Sequence, residues 1–456
     1  MASDQALAYL QSFPDWERGT AGSAETYTLD RMRRFLELLG HPDQAYPIVH
    51  VVGTKGKGST AAMIAAGLRA AGPRVGLFTS PHLVDYRERV RVDGRMIPPA
   101  ALAAIVDERL RPVVERLRAA SEKTPLAFEM LCALAFEHFR RAGVAAAVVE
   151  AGLGGRLDAT NAVAETALTA ITTIGYDHTA VLGETLAAIA GEKAAVVRPA
   201  VPVVSAPQPP EALAVVEETC RARGAELQLV GREWRVERVV ETLDETVFDL
   251  YGPGVGSGVG PGLYGPGVAY ENLRVSLAGA HQATNAAVAV AALTLLRPRF
   301  PDLDGGAVRR GLADVSWPGR LRTVARDPLV ILDGAHNRES AAALAGALSR
   351  LYPDRPFVLV AAIFRDKSPE AILAPLLPLA AHVVVAASDH PRALPASALA
   401  ETVRSLGGTA DETSSVAAAI DRARTLAGPT GRVLVTGSLH TVGEAMRHMG
   451  IEVGDA

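Results

Sequence analysis

Apolar residues in this chain recur in two alternating patterns: unbroken runs of strand length, and segments spaced for a helix. Residues 29–40 place Met32, Phe35, Leu36 and Leu39 on one helical face, with Gly40 as a stop signal. Ile48–Val52 is a β-branched run that predicts a buried strand, followed by a glycine-rich turn and an alanine-rich helix from about Ala61 to Ala71. Further strands are expected over 74–78, 144–149, 167–174 and 201–205, and helices over about 99–119, 125–142 and 185–197. Strands separated by helices predict an open, parallel α/β sheet.

The pattern changes over residues 226–280. Residues 235–240 and 246–250 alternate like short antiparallel strands, whereas 251–270 (YGPGVGSGVGPGLYGPGVAY) is so rich in Gly and Pro that it reads as a mobile hairpin loop with no chemistry of its own. An alanine-rich helix over about 282–297 closes this half. Beyond Trp317-Pro318-Gly319-Arg320 the strand–helix alternation restarts, with apolar runs at 329–332, 357–362, 382–387 and 433–436. The expected organisation is therefore an N-terminal P-loop-type parallel-sheet ATPase domain with a small antiparallel β patch (1–314), a linker (315–320), and a C-terminal Rossmann-like α/β domain (321–456).

Composition narrows the class without naming a ligand. The 456 residues suit two or three domains, and 49% hydrophobic with 21% charged residues is the balance of a globular protein. A formal charge of −4 gives no argument for nucleic acid or a membrane surface. Two cysteines, Cys132 and Cys220, make a disulfide framework implausible and suit a reducing compartment, so a cytoplasmic location is expected. The first residues carry Asp4, Asp15 and Glu17 with no long apolar run, unlike a signal peptide, and no segment reads as a membrane span.

Chemistry in such sheets gathers beyond the carboxyl ends of the strands. The first of these ends, Gly53-Thr54-Lys55-Gly56-Lys57-Gly58-Ser59-Thr60, joins a strand to a helix N-terminus. Backbone N–H groups and the helix dipole favour an anion there, and Lys57 adds a point charge for the outer phosphates of a nucleotide. The common G-x-x-x-x-G-K-[ST] pattern is not met: Val51 stands five residues before Gly56, and Gly58 follows Lys57 where a hydroxyl is usual. A glycine-rich turn without a ligand stays open as the bland alternative. The other ends carry Ser80-Pro81-His82, Glu150 to Asn161, Asp177-His178 and, in the second half, Asp333-Gly334-Ala335-His336-Asn337. These hydroxyl, carboxylate and imidazole groups suit a magnesium–nucleotide site. Glu150, directly after a strand buried on both faces, wants a cation or a capping partner. His178 reads equally as a turn histidine or a ligand, and Lys193, inside an apolar helix, reads on pattern alone as a snorkelling surface lysine. Gly152 to Asp158 forms a second glycine loop, in which Arg156 and Asp158 could hold a polar substrate. There is no G-x-S-x-G elbow and no cysteine–histidine pair, which favours direct attack on a phosphoryl group.

Taken together, the motifs GTKGKGST, TSPHL, RERVRVDG, FEM, VEAGLGGRLDATN, ITTIGYDHTAVLG, IAGEKAAVVR, LAGAHQATNAA, WPGRL, LDGAHN, DKS and GSLHTVGEA, in this order over nearly the whole chain, resemble the folylpolyglutamate synthase/dihydrofolate synthase family, a branch of the Mur ligase superfamily. Lys55 stands where that family usually has Asn, and 251–269 looks like an insertion.

The resemblance implies an ATP- and Mg²⁺-dependent amide ligase with two magnesium ions, potassium being allowed for as a further ion. Dihydropteroate or a (tetrahydro)folate would be activated as an acyl phosphate and captured by L-glutamate. Gly53, Thr54, Gly56, Lys57, Gly58, Ser59 and Thr60 would cradle the triphosphate, with Asn285 on the adenine side and Arg320, Asp333 and His336 completing the nucleotide contacts. Ser80 and Glu150 would hold one ion, and Glu150 and His178 the second. Lys193 would be carbamylated, its ammonium replaced by an anion. Gly155, Arg156, Leu157 and Asp158 would form the pterin-substrate loop, while Ser438 and His440 are the glutamate-site candidates. Lys57, Glu150, His178, Lys193 and His336 make up the expected catalytic set. The resemblance also implies a monomer that binds only small molecules. A single-activity folylpolyglutamate synthase, a Mur-type cell-wall ligase and, from a different class, a P-loop kinase or regulatory NTPase are the competing readings.

Overall fold

Eight strands build the larger of three sheets in the computed structural model, which describes residues 2–15, 28–255, 264–353 and 356–453. They are β1 (Ile48–Val52), β2 (Val75–Phe78), β3 (Val90–Val92), β4 (Arg95–Met96), β5 (Ala146–Glu150), β6 (Leu168–Ile171), β7 (Val203–Ser205) and β8 (Leu227–Leu229), in the order β4-β3-β2-β5-β1-β6-β7-β8. Every pairing from β2 to β8 is parallel, and β3 and β4 add an antiparallel edge that the apolar runs alone did not predict. β1 and β5 are buried at all five positions each, as expected of strands covered by helices on both faces. One apolar core packs the helices Lys57–Ala70, His281–Leu296 and Gly305–Asp314 against one face, and another packs Leu29–Leu38 and Ala127–Ala142 against the other.

The α/β fold class holds. The chain leaving β1 runs to β2 on one side, while that leaving β5 passes β1 to β6 on the other. Such a reversal opens a crevice outside the strand ends. The expected helix over 99–119 is one continuous run, with a π-turn at Val106–Leu110 just before Pro112. Pro112 can neither donate the next helical bond nor tolerate the carbonyl four residues back, and the wider turn relieves both.

The Gly/Pro segment departs from expectation. β9 (Arg235–Glu241), β10 (Thr246–Val255) and β11 (Tyr264–Val275) form a three-stranded antiparallel sheet that continues into the segment read as irregular; residues 256–263 lie outside the described residues. Pro253 falls where the register slips between Gly252 and Gly254, so its missing N–H breaks no ladder bond. Gly252 is required by packing: a Cβ there would lie 2.2 Å from the fully buried ring of Trp234.

The third sheet has six strands, β12 (Arg322–Arg326), β13 (Leu329–Leu332), β14 (Phe357–Ala361), β15 (Ala380–Ala386), β16 (Ala410–Thr413) and β17 (Arg432–Thr436), in the order β12-β13-β17-β14-β15-β16. Only β12 is antiparallel to its neighbour. The first half of the chain reaches into this unit. Leu83, in the loop after β2, is buried in the core beneath β13 and β17, and Leu243 and Ala278 pack against the core on the opposite face. Gly443, in the helix Leu439–His448, lets Leu83 approach: a Cβ there would meet the Leu83 carbonyl oxygen at 1.8 Å. Gly443→Ala should therefore displace the loop, lowering turnover by roughly tenfold and stability by about 1–3 kcal/mol. Steady-state kinetics beside thermal unfolding check this, and unchanged values in both would mean that the contact adapts.

Candidate active site

A single cleft of about 1000 Å³ lies between the carboxyl ends of the two parallel sheets and is lined by residues from both. That is the upper end of the range for small-molecule sites, with room for more than one ligand.

Its floor is the turn after β1. Thr54 and Lys55 donate their backbone N–H groups to the Thr173 carbonyl at 2.9 and 3.1 Å, tying the turn to the end of β6. Gly53 at φ 147° passes so close that a Cβ would lie 1.9 Å from Thr172 Oγ1. Gly56, left-handed at φ 85°, caps the helix Lys57–Ala70 without a side-chain bond. The first-turn N–H groups of Lys57, Gly58 and Ser59 are therefore free to meet an anion. Asn285 lies over this turn, its Oδ1 2.2 Å from where a Gly56 Cβ would be, and its Nδ2 donates to Gln282 Oε1 at 3.0 Å. The ring of Trp317 covers Gly58. Ser59 and Thr60 are buried in the helix start, and Thr60 Oγ1 has no partner among the described residues.

Around this floor stand the charged groups. Glu150, the last residue of β5, is buried and accepts one bond, from Ser80 N at 3.1 Å. Burial raises its pKa, against the opposing pull of the nearby Lys57. A carboxylate out of water without an ion-pair partner is costly, and a divalent cation beside it would remove that cost. Lys57 itself has no ion-pair partner among the described residues. His178, left-handed at φ 50°, lines the same cleft with Nε2 3.7 Å from Asp177 Oδ1. Ser80, Glu150 and His178 thus share the cleft, although among the described residues no three His, Cys, Asp or Glu side chains form a ready-made metal cage.

Lys193 corrects its surface reading. It is only 4% exposed, on the inner face of the helix Leu186–Ala194, and its Nζ donates to the Gly53 carbonyl at 2.8 Å. Burial, reinforced by Lys57, pushes its pKa down to about 7. At neutral pH a large fraction is therefore the uncharged amine, the form able to add CO₂.

The facing wall comes from the second sheet. Asp333, after β13, accepts bonds from Leu321 N and Ala335 N, both at 2.8 Å, and burial raises its pKa against the pull of Arg320. His336 places Nδ1 2.8 Å from the Gly334 carbonyl, and burial lowers its pKa to about 3, so the ring is neutral. Nδ1–H must then donate, which leaves Nε2 with a lone pair. Ser438 caps the helix Leu439–His448 by accepting from Thr441 N at 3.0 Å, so its hydroxyl is committed to the fold; His440 packs among His390 and Phe364.

One cluster was not assembled in the sequence reading. Asp177 accepts from Lys55 Nζ at 3.1 Å, from Asn337 Nδ2 at 3.3 Å and from Lys367 Nζ at 3.4 Å, joining the phosphate turn to the second unit. Burial would raise its pKa, yet Lys55, His178 and Lys367 hold its carboxyl far below the ordinary range. Lys367 lies in the DKS motif 190 positions from Asp177, and no local pattern links them.

The glycine loop after β5 forms the remaining side. Gly155 passes the next helix, where a Cβ would lie 2.6 Å from the Glu192 carbonyl. Arg156 pairs with Glu192 at 2.9 Å, Leu157 lines the cleft, and buried Asp158 accepts from Leu153 N at 2.8 Å.

With this geometry in hand, the chain can be set beside known proteins. Residues 319–439 match the family model described as Mur ligase, glutamate ligase domain. The dihydrofolate synthase/folylpolyglutamate synthase of Bacillus subtilis is 33% identical over 96% of this chain and 99% of its own. A probable bifunctional folylpolyglutamate synthase/dihydropteroate synthase of Haloferax volcanii is 41% identical over 91% of this chain, which spans only 48% of that protein. The folylpolyglutamate synthase of Mycobacterium tuberculosis complexed with ADP and AMPPCP superposes with a TM-score of 0.86 at 34% identity, covering 99% of each chain.

Proposed function

We infer that this chain, which belongs to the folylpolyglutamate synthase/dihydrofolate synthase family of the Mur ligase superfamily, uses ATP to join L-glutamate to the carboxylate of a folate or its dihydropteroate precursor. One observation carries the reading: a bare helix N-terminus with Lys57 and the buried Glu150 carboxylate face Arg320, Asp333 and His336 across one cleft, with the buried Lys193 amine held against the Gly53 carbonyl beneath the same turn.

In this reading the turn from Gly53 to Thr60 holds the triphosphate, and Asn285, Arg320 and Asp333 complete the nucleotide contacts. Ser80, Glu150 and His178 fit two magnesium ions by their chemistry, as hard oxygen donors and one imidazole. Ions held by these residues would supply neutralisation of phosphate charge and polarisation of the γ-phosphoryl group. The loop from Gly155 to Asp158 orients the pterin-linked substrate so that its carboxylate oxygen attacks the γ-phosphorus. A C–O–P bond forms, the β,γ bond breaks, and ADP leaves. The amine of glutamate then attacks the acyl carbon, its C–N bond replacing the C–O bond to phosphate. Neutral His336, with its open Nε2, is suited to accept a hydrogen bond across the cleft and so to complete the nucleotide contacts. The second unit brings the glutamate, near His440 rather than through the committed hydroxyl of Ser438. Excluding water protects the acyl phosphate, which a cleft closed by two packed units does. One chain supplies both walls, which supports a monomer as the working unit.

The proposal extends to both reactions, first glutamylation of dihydropteroate and then extension of folate chains. Phosphate release should require a pteroate or folate together with L-glutamate, and mass analysis should find a product heavier by one glutamyl unit or more. Release with ATP alone, or a stable phosphorylated product, would instead favour an NTPase or kinase. No helix among the described residues is long and apolar enough to cross a membrane.

A further inference from the structure

The middle of β1 carries a residue that packing does not explain. His50 is fully buried, flanked by Val149 of β5 and Thr169 of β6, in a strand otherwise made of aliphatic residues. Its Nε2 lies 2.8 Å from Thr160 Oγ1, and the Thr160 hydroxyl donates in turn to Asp158 Oδ1. A three-residue chain thus leads from the core strand beneath the phosphate turn to the carboxylate on the cleft wall.

The proton order along the chain follows from counting donors. Asp158 receives Leu153 N on Oδ2 at 2.8 Å, and Thr160 N on Oδ1 at 3.0 Å beside the Thr160 hydroxyl. Burial raises the Asp158 pKa and these hydrogen bonds oppose the rise; a carboxyl group met by three donors has no free oxygen on which to keep a proton of its own, so the acceptor-only, ionised form fits this arrangement. With its proton given to Asp158, Thr160 Oγ1 can only accept from His50, so Nε2 carries the imidazole hydrogen. His50 Nδ1 is then the unprotonated nitrogen, and it is the ring atom with no partner among the described residues. A buried acceptor left bare is tolerated more readily than a bare N–H. Burial, reinforced by Arg198, lowers the His50 pKa to about 3, so the ring stays neutral and this order is fixed over the working range of pH.

We propose that His50, acting through Thr160, is a positioning residue that fixes the Asp158 carboxylate, and with it the loop from Gly155 to Asp158, on the wall of the cleft, and so sets the affinity for the pterin-linked substrate. The inference rests on the reading of Gly155 to Asp158 as the substrate loop. His50 touches neither the cleft nor the phosphate turn's ligand face, so its influence falls on one substrate and not on the nucleotide.

The test compares His50→Leu, which keeps bulk but removes the donor, with His50→Gln, whose amide N–H occupies the Nε2 position. Removing a group that orients a ligand typically costs 10–100-fold in affinity, so His50→Leu should raise KM for dihydropteroate by about tenfold, leaving kcat and KM for ATP within about twofold. His50→Gln should recover most of that loss. Thr160→Val, which serves if His50→Leu does not fold, should show the same selective rise, and the two changes together should be no worse than either, as expected for members of one chain. Uniform loss across all substrates, tracking a fall in Tm, would overturn the inference and leave His50 a packing residue. Asp158→Asn separates the two readings. If it raises KM for dihydropteroate while His50→Leu and Thr160→Val do not, the relay fails alone. If Asp158→Asn leaves that KM unchanged, the substrate-loop reading fails and the relay with it.

Discussion

Lys57→Ala should lower turnover by about 10³-fold or more while leaving Tm nearly unchanged, because the residue is placed for chemistry and not for packing. It follows the left-handed Gly56 at the first position of its helix, and among the described residues it forms no ion pair. Removing it deletes a cation from a cleft that must collect the charge of a triphosphate; no ion pair is broken, although buried Glu150 loses the pull of that charge. Removal of one preorganised donor at a charge-developing centre costs about 10²–10³ in kcat, and in the proposed reading the same group would also organise the ground-state complex. Phosphate release and thermal unfolding decide the matter together. A folded variant with full activity would remove the phosphate-turn assignment, whereas loss of both fold and activity would mean that the lysine is structural.

The second large effect is expected at Lys193. Lys193→Ala should reduce kcat by about two orders of magnitude, and millimolar formate or acetate should restore part of it by supplying the missing anion. The unmodified amine is neutral in a large fraction at neutral pH, since burial and Lys57 bring its pKa to about 7. A carbamate at that position would exchange repulsion between two ammonium groups for attraction to cations. A silent substitution, or one insensitive to carboxylic acids, counts against carbamylation. The unmodified lysine also leaves a signature in stability. Between about 7 and the ordinary lysine value near 10.4, the unfolded chain binds the proton that the folded chain has lost, so stability rises with pH across that window. Below it both states are protonated and the burial cost is felt in full. In CO₂-free buffer, Lys193→Met should therefore gain most over the parent below pH 7 and lose that advantage towards pH 10.

These two lysines show what the primary structure reveals and what it conceals. Lys57 was legible because everything that defines it is local: an aliphatic strand, a glycine that must turn left, and a helix start within ten residues. Strand ends were legible for the same reason, and so were Glu150 and Asp333. Lys193 was not, on pattern alone. Its helix is apolar on several sides, and periodicity cannot tell which side slides beneath the end of β1 until Gly53 is in place, 140 positions away. Lys55, Asp177 and Lys367 meet only when two sheets are docked. The Gly/Pro stretch misled in the opposite direction: composition spoke for irregularity, yet strands enter it from both sides, with Gly252 making room for Trp234 and Pro253 lodged at a register slip.

The loop after β2 has two attachments with opposite loyalties. Its Ser80 amide is bonded to Glu150 at the heart of the first unit, and three residues later Leu83 is sunk in the core of the second. So short a tether has little slack, and the halves of the molecule cannot part without pulling Ser80 from its strand end. Any separation of the two units large enough to draw Leu83 from that core would break the Ser80–Glu150 bond as well, so opening the cleft and loosening the corner beside Glu150 go together.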